Sequence, residues 1–398
     1  SRLRGRGSGG GRSLSESCHV WLPDLSATRG GIQRYSGFLL EALREAWPEP
    51  RYEVFLKNDA PDVHALEGLH LHASGRLPRW LRTPGFAARI GSRALVDRPR
   101  LIIVGHVNFA VVSDWLGRYA GIPSWILTYG IEAWGVEKPA LRRALARAAC
   151  VVSISRFTSQ RLIEEQGIDP ARVAILPCTF DPLLFRPRER SPRLLERLGL
   201  EPGQPVLLTV ARLAGRERHK GYDVVLEALP TIRADVPGLH YVLVGEGDDR
   251  SRIERRIVEL GLERHVTLAG FVPDDELPDY YNLCNLFAMP SKREGFGIVY
   301  LEAMACGKPT IAGNRDGARD ALLDGELGVL VDPDDVAAFG AAAVEVLSGR
   351  HPNRSIYDPD GLRRGVIERF GPERFRARLE EILASHGLRA GARAKAER

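Results

Sequence analysis

The chain has 398 residues, 44% hydrophobic and 27% charged, with a net charge of +5, which is the composition of a globular protein of two or three domains rather than a disordered or fibrous one. Its five cysteines (Cys18, Cys150, Cys178, Cys284, Cys306) are odd in number and scattered, with no CxxC pair; this speaks against a disulfide framework or a zinc site and for a reducing compartment. No run reaches the roughly 18 apolar residues of a membrane span, and the first half's surplus of 24 Lys and Arg over 17 Asp and Glu in residues 1–185 is too small to argue for a nucleic-acid partner.

Residues 1–16 carry arginines and glycines but no apolar core, so they read as a disordered tail and not as a secretory signal. Short apolar segments alternating with helical patterns follow. The expected strands are 18–22, 51–57, 69–73, 101–104, 124–128, 150–154 and 173–176, then 205–210, 241–245, 265–270, 285–289, 309–312 and 328–331. Near-continuous apolar strands between helices mark a parallel sheet covered on both faces, hence the α/β class. The segment 181–205 holds five prolines and many charges and breaks the rhythm. It divides the chain into a first domain over 17–185, a linker over 186–204 and a second domain over 205–365, with residues 366–398 forming a helix that packs back on the first domain, then a tail. In open α/β sheets ligands bind beyond the carboxyl ends of the strands, so two such domains facing each other place a ligand between them.

Within the first domain, residues 76–100 carry seven arginines and one acid, Asp97, interspersed with Trp80, Leu81, Phe86, Ile90 and Leu95. Arginines beside aromatic residues suit the headgroup boundary of an anionic membrane. The plainer reading is a solvated basic helix packed through Phe86 and Ile90, and Pro78 and Pro84 are expected to interrupt any long helix. His106, at the end of the strand before it, is a candidate for the acceptor side of a cleft; a histidine satisfied by backbone near a helix start is as good a reading.

Three clusters in the second domain lie at strand ends. The first, 210–229, puts Arg212 just past a strand and Lys220 at the start of the next helix, with Arg216, Arg218 and His219 between them. A cationic loop there suits a phosphate or diphosphate, although alone it would read as a solvated charged loop. The second, VGEGDD at 244–249, has Gly245 after a strand but is not GxGxxG, and no dinucleotide fingerprint occurs elsewhere. The third, 290–309, places Glu294 in a Gly-rich loop and Glu302 eight residues later on a helix expected to run from about Gly297 to Cys306. The helix amides favour an anion, and the two carboxylates can bond separate hydroxyls of one long ligand. A surface Glu and a helix Glu around an ordinary glycine turn is the bland alternative.

Taken in order, GGIQRY (30–35), VSISRFTSQRL (152–162), RL…HKG (212–221), LVGEG (243–247), HVTLAGFV (265–272), EGFGIVYLE (294–302) and EAMACGKPTIA (302–312) resemble the family 4 glycosyltransferases. The resemblance covers most of residues 18–386. It implies the GT-B fold: two Rossmann-like, doubly wound parallel-sheet domains facing a central cleft. It also implies a retaining hexosyltransferase that moves a hexose from a nucleoside-diphosphate sugar, GDP-mannose or a UDP-hexose, to a glycan, lipid-linked or small-molecule acceptor. Position by position, Arg212 and Lys220 match the pair that binds the donor diphosphate, and Glu294 matches the acid holding donor sugar hydroxyls. Glu302 matches the ribose ligand. Gly295, Phe296, Gly297, Ile298 and Val299 match the loop whose amides approach sugar and phosphate. Gly31 matches an amide donor to phosphate, and Val272 a backbone contact to the base; Gly245 is counted among the donor-binding positions. Tyr129 stands where the family often has His facing the donor sugar, so its place on the sugar side is open, and the segment between Arg212 and Lys220 is longer than the commonest form.

No cofactor or metal is expected, because fixed cations stand where other transferases use a D-x-D motif, and the DPD runs at 332–334 and 358–360 look like helix-start turns. The expected location is cytoplasmic, with peripheral contact at the inner membrane face. A non-catalytic sugar-nucleotide-binding protein of the same fold is the alternative, and the retained Arg212, Lys220, Glu294 and Glu302 argue against it.

Overall fold

The computed structural model describes residues 15–26, 30–60 and 68–388. The tail read over 1–16 therefore lies outside the described residues up to Leu14, as do the last ten residues. Ser15 and Glu16 open the first strand and are not part of a tail.

Thirteen strands form among the described residues, one at each segment expected from the sequence. They are β1 (Ser15–Leu22), β2 (Arg51–Leu56), β3 (Leu69–Ala73), β4 (Pro99–Val104), β5 (Ser124–Thr128), β6 (Cys150–Ser153) and β7 (Val173–Ile175), followed by β8 (Val206–Val210), β9 (His240–Val244), β10 (Val266–Gly270), β11 (Leu286–Met289), β12 (Thr310–Gly313) and β13 (Val329–Val331). They build two sheets, ordered β3-β2-β1-β4-β5-β6-β7 and β10-β9-β8-β11-β12-β13. Pairing is parallel in both, for example Val20 opposite Ile103 and Leu208 opposite Val242. Helices cover both faces, so β5, β9 and β11 are buried along their whole length. Alternation of apolar and polar residues is therefore absent in these central strands, as expected where a sheet has no solvent face, while the edge strand β3 alternates Leu with His and is only partly buried. In each sheet the order reverses beside the first strand of its domain, between β1 and β4 and between β8 and β11. Those are the topological switch points where such folds bind ligands.

Two segments differ from the sequence reading. The helix over Arg79–Asp97 is continuous for 19 residues. Pro78 precedes its first turn and Pro84 falls early enough to remove only one internal hydrogen bond, while Phe86, Ile90 and Ala94 bury one stripe against the sheet. The proline-rich linker also contains a helix, Pro192–Leu198, started by Ser191 with Pro192 in its first position. Leu194 and Leu195 are buried, and Arg197 pairs with Glu276 at 2.9 Å, so the segment is fastened to the second domain.

The chain then returns. The helix Pro372–Ser385 lies against the helix Gly31–Ala46 of the first domain, with Phe375 edge-on to Tyr35 at 5.6 Å and Arg376 paired to Glu45 at 2.6 Å. Arg363 donates to the carbonyls of Phe185 and Pro182 at 2.6 and 2.7 Å. One apolar core runs from Tyr35 through Phe180 and Phe185 to Tyr281 and Met304, so both domains share part of their interior.

Candidate active site

The second switch point collects the three leading candidates. Arg212 follows β8 in a segment shaped by the loop after β9. Ala211 and Leu213 donate to the carbonyls of Val244 and Glu246 at 3.0 and 2.9 Å, and Asp249 donates to that of Leu213 at 2.9 Å. Gly245 has φ +140, and a Cβ there would run into the Ala211 carbonyl. Its contribution is to let two loops pack backbone to backbone; it buttresses Arg212.

Residues Gly215–Lys220 wind into a 3-10 turn, which takes up the long spacing between Arg212 and Lys220. The turn sorts its cations. Arg218 is consumed by Asp249 at 3.1 Å, a carboxylate that also accepts from Tyr222 at 2.7 Å and from Arg252 and is held down at about 2 chiefly by its bonds to Arg252. Arg216 stands in solvent. Lys220 turns inward and pairs with Glu294. Burial pushes the Lys220 ammonium down, but the charge and hydrogen bond of Glu294 outweigh it and hold the group above its ordinary value. The side chain of Arg212 is 47% exposed and bonds Glu217 at 3.1 Å.

The Glu294 loop is clamped between the domains. A Cβ on Gly295 would overlap the Tyr129 carbonyl, and one on Gly130 would stand 3.0 Å from the Gly295 Cα. Across the cleft, Gly30 lies against Arg212, 3.0 Å from its Nη2 to a built Cβ, and Gly31 against Ile298 at 3.9 Å. The structure thus brings Gly31, Arg212, Lys220, Glu294, Gly295 and Ile298 to one interdomain cleft. Phe296 is fully buried and points the other way, edge-on to Phe370 at 5.4 Å. Gly297 precedes the helix Ile298–Ala305, on which Val299 is half-buried. A cavity of about 460 Å³ opens behind this loop, lined by Ser155, Arg156, Cys178, Phe296, Arg374 and Phe375; its lining includes neither Arg212, Lys220 nor Glu302.

Glu302 is 1% exposed and holds two partners, the Tyr281 hydroxyl at 2.7 Å and the Arg34 guanidinium. Arg34 comes from the first domain and also reaches Asp274 at 2.6 Å. The Glu302 charge, followed by that of Asp274, lifts the Arg34 guanidinium above its usual range against the effect of burial. The sequence reading missed Arg34, Tyr281 and Asp274. Val272 is buried two residues before Asp274, and Phe271 is exposed beside it.

Two first-domain candidates sit differently from the cleft cluster. The ring of Tyr129 is buried edge-on to Tyr35 at 5.5 Å, and burial pushes its phenol up; what this residue turns toward Gly295 is its carbonyl. His106 caps a short 3-10 turn, its Nδ1 accepting from the Asn108 amide at 3.2 Å, the backbone-satisfied role weighed above. In the DPD runs, Asp332 and Asp334 pair with Arg315 at 2.5 and 2.6 Å, and Asp358 caps the helix Pro359–Phe370 with Asp360 in its first turn.

Comparison with known proteins agrees in both halves. Residues 30–179 match the model of a glycosyl transferase 4-like domain, and residues 191–358 match that of glycosyl transferases group 1. The chain is 35% identical over 269 residues to a GDP-mannose-dependent alpha-(1-6)-phosphatidylinositol monomannoside mannosyltransferase of Mycolicibacterium smegmatis, covering 65% of this chain and 69% of that protein. It is 26% identical to a 2-deoxystreptamine N-acetyl-D-glucosaminyltransferase of Streptomyces fradiae, covering 81% of this chain and 72% of that one. Its fold matches sucrose-phosphate synthase from Thermosynechococcus elongatus with a TM-score of 0.76 at 22% identity, covering 93% of this chain and 99% of that one. It also matches Anabaena HepE in complex with UDP-glucose with a TM-score of 0.75 at 23% identity, covering 92% and 99%.

Proposed function

The chain belongs to the family 4 glycosyltransferases (glycosyl transferases group 1), and we propose that it is a retaining, metal-independent mannosyltransferase using GDP-mannose. The observation that carries this reading is the Lys220–Glu294 pair beside Arg212 at the second switch point, facing Gly30 and Gly31. GDP-mannose is favoured over a UDP-hexose by the relative at 35% identity, whose name states that donor.

In this reading the acceptor hydroxyl attacks the anomeric carbon from the face that the diphosphate leaves. The C1–O bond breaks with its electron pair going to the β-phosphate oxygen, which takes the acceptor's proton. The products are the glycoside and GDP. Arg212 and Lys220 meet the charge that develops on the leaving group. Glu294 accepts from a sugar hydroxyl while neutralising Lys220, and Glu302 exchanges its Arg34 contact for a ribose hydroxyl.

Because Lys220 and Arg212 supply the positive charge and Asp332, Asp334 and Asp358 are engaged elsewhere, transfer from GDP-mannose is expected to proceed unchanged in excess EDTA. Turnover that stops in EDTA and returns with magnesium or manganese would overturn the metal-free mechanism. Transfer from UDP-glucose at a rate equal to or above that from GDP-mannose would overturn the donor.

The acceptor proposed is a lipid-linked hydroxyl reached from an anionic membrane surface. No described helix is long and apolar enough to cross a membrane, so the contact would be peripheral. The helix Arg79–Asp97 and its neighbour Ala110–Ala120 leave Trp80 77% and Tyr119 65% exposed, with Leu77, Val96 and Trp115 also outward. Several arginines of this stretch are engaged elsewhere. Arg82, Arg89 and Arg98 donate to the carbonyls of Gly75, Ala73 and Ala120 at 2.7, 2.8 and 2.9 Å, and Arg93 pairs with Asp97. Arg100 stacks over the Trp47 ring at 5.4 Å, which leaves Arg76 and Arg79 beside Trp80 as the cations of this stretch turned outward. Arg76→Glu, Arg79→Glu and Trp80→Ala together are expected to abolish low-salt co-sedimentation with anionic vesicles and leave turnover on a soluble acceptor intact. Equal sedimentation of variant and parent, or none by the parent, would remove membrane contact from the proposal.

A further inference from the structure

Asp316 lies in the loop after β12, is 0% exposed, and touches the Glu294 loop from behind. Its Oδ2 accepts from the Ser291 hydroxyl at 2.6 Å and from the backbone amide of Glu294 at 2.7 Å, and its Oδ1 accepts from the Ala318 amide at 3.0 Å. The next residue, Gly317, donates its amide to the Glu294 carbonyl at 2.8 Å. Glu294 is therefore gripped at both its amide and its carbonyl while its side chain remains available to Lys220. The Ser291 hydroxyl stands 3.3 Å from that of Tyr300, which donates to the Met289 carbonyl at 2.8 Å at the end of β11. These contacts tie the ends of two neighbouring strands, β11 and β12, to one loop.

A buried carboxylate is costly, and burial pushes Asp316 up to about 7 against the pull of Ser291 and the Glu294 amide. An ordinary turn between a strand and a short helix does not need such a group. Its neighbours with charge or a titratable proton are Glu294, Lys220 and Tyr300. All of them belong to the pair above or to the support under it.

We propose that Asp316 is a positioning residue for transfer: it fixes the Glu294 backbone and so sets where the Glu294 carboxylate meets the donor sugar, with Ser291 aligning the Asp316 carboxylate. This rests on the reading of Lys220 and Glu294 as donor ligands. In Asp316→Asn an amide N–H must face either the Glu294 or the Ala318 N–H, so the loop shifts without a change in volume.

The test compares kcat, nucleoside-diphosphate affinity and melting temperature for Asp316→Asn, Ser291→Ala and Glu294→Gln. Asp316→Asn should lower kcat by about 30-fold or more, since small misplacements at a reacting centre are amplified, and should leave GDP affinity within about threefold, because GDP carries no sugar for Glu294 to hold. Ser291→Ala keeps both backbone bonds and should lose only about threefold in kcat, the scale of one neutral hydrogen bond; it carries the test should Asp316→Asn fail to fold. Parent-like kcat in Asp316→Asn, or losses of kcat and GDP affinity in equal proportion, would overturn the positioning role. If Glu294→Gln also turns over like the parent, the donor-site reading itself is wrong; if Glu294→Gln is impaired and Asp316→Asn is not, only the positioning role falls.

Discussion

Lys220→Ala is expected to lower kcat by about a hundredfold or more, the typical loss when one preorganised charge partner of a leaving group is removed. Lys220 is well buried and held in a charged state by Glu294, so it reaches the transition state already oriented and largely stripped of water. Arg212, nearly half exposed and shared with Glu217, is screened and should cost less on truncation. The comparison is made at saturating donor, with the melting temperature measured alongside, because Lys220→Ala also leaves Glu294 without its cation. Turnover within twofold of the parent would take Lys220 out of the diphosphate site.

Gly295→Ala should be nearly as damaging, for a different reason. Its Cβ would overlap the Tyr129 carbonyl in the opposite domain, and a backbone atom cannot move aside as a flexible side chain can. Either the loop shifts away from the cleft or the domains part. We expect about 1–3 kcal/mol of lost stability, as for other overpacked contacts, and turnover reduced by more than about tenfold through displacement of Glu294. Thermal unfolding and steady-state rates measured together check both, and a variant with the parent's rate and melting temperature would show that the domains need not meet at Gly295.

The sheets were legible because strands buried on both faces, such as β5 and β9, write near-continuous apolar runs; the run is weaker at β2, which carries Glu53, and at the edge strand β3, which alternates Leu with His. Arg212, Lys220 and Glu294 were legible because they sit at strand ends within short motifs. Arg34 was not: it meets Glu302 across 268 positions, and nothing local in GGIQRY announces a partner so distant. Asp316 was missed for the same kind of reason, since its bonds to Ser291 and Glu294 join two loops that only the adjacency of β11 and β12 brings together. The helix Pro192–Leu198 did carry a signal, Ser191 followed by Pro192, but four other nearby prolines masked it. The basic stretch misled in the opposite way: its arginines look free in sequence, but the fold spends Arg82, Arg89 and Arg98 on carbonyls of neighbouring segments and Arg93 on Asp97.

The most direct measurement of the account is the configuration of the first product formed from GDP-α-mannose. The reaction would be run in EDTA with a soluble hydroxyl acceptor and followed by NMR at the anomeric carbon. Attack on the face the diphosphate leaves, with Arg212 and Lys220 holding that group, predicts an α-mannoside appearing together with GDP from the first turnovers. A β-mannoside as the first product would contradict same-face transfer and require a different catalytic arrangement around Glu294.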